Sequence, residues 1–131
     1  MADYAAVRYC RDINGGGWSW RASIPSMDLK SFQTTRRFAA EKMQKLNLFE
    51  TERFFCDVYC LEPGQEQKPH AHGGSDKVYA VLEGCVDARV GAETARLGPG
   101  DIVHCPAGSD HGVKNPGPAR AALLVFMAPR P

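Results

Sequence analysis

Long apolar runs are missing from this 131-residue sequence, the longest being the eight residues Ala121 to Ala128. A helix needs about 20 such residues to cross a bilayer, so no membrane partner is expected. Excess charge of one sign is missing too: 16 Lys and Arg against 15 Asp and Glu leave +1, spread along the chain. A nucleic-acid-binding domain wants a basic face, and the short patch Thr34-Thr35-Arg36-Arg37 does not supply one. The five cysteines, Cys10, Cys56, Cys60, Cys85 and Cys105, lack the spacing of a disulfide framework or a zinc finger. Buried packing as small apolar groups is the expectation for them. No phosphate-binding glycine loop, nucleophile elbow or paired catalytic carboxylates are found, and no internal repeat. Met1 to Gly15 carries charges and no apolar core segment, so a cytoplasmic protein without a secretory signal is expected.

What is present is a β pattern. Phe54, Cys56, Val58 and Cys60 alternate with Phe55, Asp57, Tyr59 and Leu61, which predicts a strand over 53–61 closed by Glu62-Pro63-Gly64. Further strands are predicted over 77–82, 85–90, 94–97, 101–105 and 121–127, separated by Gly- and Pro-rich turns. The stretch 38–49 fits either a helix or a strand by periodicity. Asn14 to Gly17 reads as a turn before Trp18 and Trp20, two large aromatics that a free tail rarely carries. The segment 1–39 is therefore read as an arm docked on its own barrel or on a partner. Residues 40–131 are read as one domain, in keeping with the chain length.

The chain is organised around Gly64 to Gly84, GQEQKPHAHGGSDKVYAVLEG. His70 and His72 stand two residues apart, and on a strand such residues share a face. A second stretch, Gly100 to Asn115, GDIVHCPAGSDHGVKN, adds His111 behind a Pro-Ala-Gly turn. His104 falls out of register with these three and reads as a surface residue. Tyr59 and Tyr79 read as core, Asn115 and Gly108 as turn residues, and Cys105 as facing opposite to His104.

Together these stretches resemble the two signature motifs of the cupin superfamily. Gly64, His70, His72 and Gly84 match the first motif; Gly100, Pro106, Gly108, His111 and Asn115 match the second. The resemblance implies an all-β, double-stranded β-helix (jelly-roll) barrel, here with an N-terminal arm, and a homodimer whose arm could cross between subunits. It also implies one divalent metal ion (iron, manganese, nickel, copper or zinc) held by His70, His72 and His111, imidazole being a common ligand of such ions. The family's usual fourth ligand is a glutamate, and here the slot falls on Lys77. With one residue fewer after His72 it falls on Asp76, which would then complete the metal site.

Lys77 opens three alternatives. An ammonium about 6 Å from a divalent ion is repelled by roughly 5 kcal/mol at an effective dielectric of ~20. The lysine could lose its proton, swing out to pair with Asp76 or Glu66, or hold an anionic group of a ligand and so orient a substrate. A three-histidine site without the glutamate resembles that of thiol and β-diketone dioxygenases among cupins. The expected functions are a metal-dependent dioxygenase, isomerase or lyase on a small oxygen-chelating molecule, or a metal-free small-molecule binder acting as sensor or carrier.

Overall fold

The computed structural model describes residues 27–131. Cys10, the Asn14–Gly17 turn, Trp18 and Trp20, and with them most of the arm, lie outside the described residues. A single helical turn, α1 (Phe32–Thr35), precedes nine strands: β1 (Gln44–Glu50), β2 (Phe55–Leu61), β3 (Glu66–His70), β4 (Asp76–Glu83), β5 (Val86–Val90), β6 (Glu93–Leu97), β7 (Ile102–Cys105), β8 (His111–Lys114) and β9 (Ala121–Ala128). They form two antiparallel sheets, ordered β1-β2-β9-β4-β7 and β3-β8-β5-β6. This is the jelly roll expected from the sequence. Within the stretch 38–49 the structure has no helix, and the strand β1 begins at Gln44.

The inner faces make one core. Tyr59 and Leu61 from β2, Tyr79 and Val81 from β4, Val86 and Ala88 from β5, and Leu123 and Val125 from β9 are all buried there. Their alternation along each strand is the period-2 pattern of a sheet with one face against the core. A second cluster covers the outer face of the five-stranded sheet. Val58, Cys60 and Ala122 are buried beneath Phe32, Phe38, Leu46 and Leu48, so the described end of the arm lies on that face.

Two strands were given no bounds by the sequence, β3, of which only the His70–His72 pair was read as strand, and β8, and they pair with each other. Their sequences, Glu-Gln-Lys-Pro-His and His-Gly-Val-Lys, carry almost none of the β-branched and aromatic residues that mark a strand. The pairing slips between Gln67 and His70, where Pro69 has no N–H to give the ladder. At Gly112 the strands come so close that a Cβ would sit 2.7 Å from the Gln67 carbonyl oxygen and 3.0 Å from the Pro69 nitrogen. A glycine is required there.

Candidate metal centre

The β3–β8 register sets His70 directly opposite His111. The sequence pattern placed His70 and His72 on one strand face; instead His70 ends β3 and His72 follows in the next loop. That loop is tied to the second motif by the Gly108 N–H, which donates to the His72 carbonyl at 2.9 Å. Gly108, at φ +84°, thus serves the turn expected of it and also positions His72. The ring centroids of His70 and His111 are 4.6 Å apart, those of His70 and His72 4.9 Å, and those of His72 and His111 5.5 Å. One ring nitrogen from each lies within 4.8 Å of the others.

The tautomers are set by the backbone. His70 Nδ1 lies 2.8 Å from the Lys68 carbonyl and His111 Nδ1 lies 3.2 Å from that of Ser109. An imidazole that donates from Nδ1 turns the lone pair of Nε2 into the site. His111 Nε2 is buried and has no hydrogen-bond partner, and such an orphan costs free energy unless something meets it. Burial, the Lys77 ammonium and His70 depress the His111 pKa to about 4. Burial, His70, Lys77 and Lys45 lower that of His72. Neutral, convergent imidazoles with a free lone pair fit a divalent first-row metal.

Lys77 is the unexpected core residue. It is 1% exposed, on the inner face of β4 beside Tyr79, and it pairs with neither Asp76 nor Glu66. Its Nζ donates to Gln67 Oε1 at 3.2 Å and stands 5.3 Å and 5.1 Å from the ring centroids of Tyr59 and Tyr79. Burial first, and then Lys45, pull its pKa from 10.5 to about 8. Gln67 is the hub of this buried network and went unnoticed in the sequence. Besides Lys77 it accepts from the Tyr79 hydroxyl at 2.8 Å, and its Nε2 donates to the Tyr59 hydroxyl at 3.3 Å. The only available signal was a glutamine at an inward position three residues before His70, too common a residue type to stand out.

Asp76 is turned outward. Its carboxylate accepts from the Ala107 N–H at 2.9 Å and lies 3.4 Å from His104 Nε2, with both side chains largely exposed. These contacts hold its carboxyl below the usual range, and the convergent group comprises the three histidines without it. His104 is on the surface, as expected. Cys105 is inside, with burial pushing its thiol up to about 11, whereas Cys60 belongs to the outer cluster. Tyr59 and Tyr79 are core, and burial raises the Tyr59 hydroxyl to about 12. Asn115, wholly buried, donates to the Leu61 and Ala119 carbonyls at 2.9 Å each and accepts from the Gly117 N–H, so it fixes the turn after β8.

A jelly-roll barrel with three inward histidines at the junction of its two motifs defines the class of protein. Residues 57–127 match the cupin domain model, and the chain belongs to the cupin family. It is 50% identical to the TT1209 protein of Thermus thermophilus, whose solved structure superposes with a TM-score of 0.78 over 80% of this chain and 100% of that one. It is 29% identical over 125 residues to the 5-nitrosalicylic acid 1,2-dioxygenase of a Bradyrhizobium species, covering 88% of this chain and 60% of the relative. It is 35% identical over 74 residues to the tetracenomycin polyketide synthase protein TcmJ of Streptomyces glaucescens, covering 54% of this chain and 50% of that protein. The chain thus spans half to three-fifths of the length of these two relatives.

Proposed function

We propose that this cupin holds one divalent metal ion through His70, His72 and His111 and acts as a dioxygenase on a small oxygen-chelating acid. The observation that carries this reading is the orphaned, buried Nε2 of His111 among three converging imidazoles. The dioxygenase part draws on the name of the Bradyrhizobium relative. A metal in such a site supplies a Lewis acid that gathers substrate oxygens and, if it is iron, an electron donor for O₂. The rest falls to the chain. The Lys68 and Ser109 carbonyls keep the Nδ1 protons of His70 and His111 and so fix the ring orientations. Lys77, aimed by Gln67, offers an ammonium to the substrate's anionic group in the slot where a fourth protein ligand would stand. The tyrosine rings keep water from that ammonium, which strengthens its hold on an anion.

The same lysine favours a second reading, a metal-free binder of small anions, because a buried cation opposes a nearby metal. Metal content per chain separates the two, measured by mass spectrometry on protein purified anaerobically without a histidine tag or chelator. The first reading expects near one iron, manganese, nickel or copper per chain, lost in His111→Ala, and oxygen uptake with salicylate-type acids in an oxygen electrode. No metal as purified and none taken up on titration would overturn it in favour of the binder. The family resemblance also leads us to propose a homodimer. Ile102 and Phe126 expose apolar side chains on the outer face of the five-stranded sheet, and a monomer by light scattering at micromolar concentration would refute that. No helix among the described residues is long and apolar enough to cross a membrane.

A further inference from the structure

Lys45 is an exposed lysine on β1, an edge strand, and at first sight it is an ordinary surface residue. Its register says otherwise. Lys45 is the direct cross-strand partner of Tyr59, and directly paired residues project to the same side of a sheet. Because Tyr59 points into the barrel, Lys45 does too. Its Nζ stands 5.2 Å from the Tyr59 ring centroid, while Lys77 Nζ stands 5.3 Å from the same centroid. One aromatic ring therefore carries two ammonium groups.

Neither makes an ion pair among the described residues, and the Asp57 carboxylate, whose charge acts on Lys77, is engaged by the Asn47 side-chain amide, which donates to it at 2.8 Å. Lys77 uses one hydrogen bond, to Gln67, although an ammonium carries three donors. Two like charges held beside one ring, neither in an ion pair with a carboxylate, repel each other, and an anion that joined them would relieve the repulsion.

We infer that Lys45 and Lys77, set against the Tyr59 ring, form a subsite for a carboxylate, and that Lys45 makes the site prefer acids over neutral chelators of the same shape. This rests on the proposed function and deepens it by assigning the acid group of its substrate to Lys45 as well as Lys77. Lys77 holds the carboxylate from inside the barrel, and Lys45 closes on it from the open edge at β1.

Salicylate and salicylamide test this, as they share a ring and differ in a charged or neutral substituent. Both are titrated calorimetrically into the full chain, in zinc-loaded and chelator-treated forms, for wild type, Lys45→Gln and Lys77→Met. Zinc keeps the site free of redox turnover during the measurement. Wild type is expected to prefer salicylate by about tenfold or more, Lys45→Gln to lose about fivefold of that, and Lys77→Met to lose the preference, in line with one partly exposed and one buried charge contact. Zinc content is expected to be equal in wild type and Lys45→Gln. A preference unchanged within about twofold in Lys45→Gln would overturn the subsite, and if zinc is still bound the metal reading stands. If no metal binds but the chelator-treated protein still prefers salicylate through Lys45, the subsite stands and the metal reading falls.

Discussion

Replacing Lys77 by methionine tests the buried cation at the centre of the site. Methionine keeps the length and apolar volume of the side chain and removes the charge. With a folded pKa of about 8 against 10.5 for a free side chain, Lys77 binds its proton less well in the folded protein. Its stabilising effect is therefore complete above pH 10.5 and is lost as pH falls towards 8. Each pH unit between those values is worth about 1.4 kcal/mol, so the full cost of keeping the charge below pH 8 is about 3 kcal/mol. The variant removes that cost and loses the bond to Gln67, worth about 1 kcal/mol. Gln67 Oε1 keeps the Tyr79 hydroxyl as a donor, so no orphan is left behind. Metal-stripped Lys77→Met is expected to be about 2 kcal/mol more stable than metal-stripped wild type at pH 6.5. By pH 9.5 the wild-type lysine has recovered about 2 kcal/mol by shedding its proton, and the two proteins should be nearly equal. Urea unfolding at the two pH values gives both differences; groups that Lys77 does not touch cancel in the comparison, whereas His111 and His72, whose pKa values it lowers, respond to its removal at the lower pH only. A difference that does not change with pH would refute the argument, as it would mean that Lys77 keeps its charge at no cost.

Gly112→Ala places a methyl group against the Gln67 carbonyl and Pro69; it should push β3 from β8 and lower the metal content of purified protein at least several-fold. Asp76→Asn should leave metal content within error of wild type, because the carboxylate serves Ala107 and His104 on the surface; loss of metal would restore Asp76 as a ligand. Leu123→Ala, at a fully buried position in the main core, should cost about 2–5 kcal/mol of unfolding free energy by urea titration.

The barrel was legible because several strands advertise themselves. The 53–61 run is rich in aromatic and β-branched residues, 121–127 is apolar throughout, and Gly- and Pro-containing turns punctuate the chain between them. The residue types of the site were legible too, since the three motif histidines keep fixed distances from glycines that the turns need, Gly84 and Gly108 among them, each at positive φ. His104 was separable from the other three by register alone. The strands that carry His70 and His111 were not legible, because Glu66–His70 and His111–Lys114 hold together through pairing rather than through side chains that favour strands. Gln67 escaped notice for the same reason: nothing local distinguishes it from a surface glutamine.

The sequence alone determined the family, the three imidazoles and the displacement of the usual carboxylate by Lys77 or Asp76, because these depend on residue identity at fixed spacing. The motif spacing already put Lys77 rather than Asp76 in the glutamate slot, but where each side chain points was decided by the fold. Adjacent residues on a strand face opposite ways, and the β4 register against β7 and β9 turns Lys77 to the core and Asp76 to solvent. The convergence of the histidines, the Gln67 network and the meeting of Lys45 with Lys77 on one tyrosine ring all join residues from different strands. Contacts of that kind come from strand pairing, which no local pattern encodes.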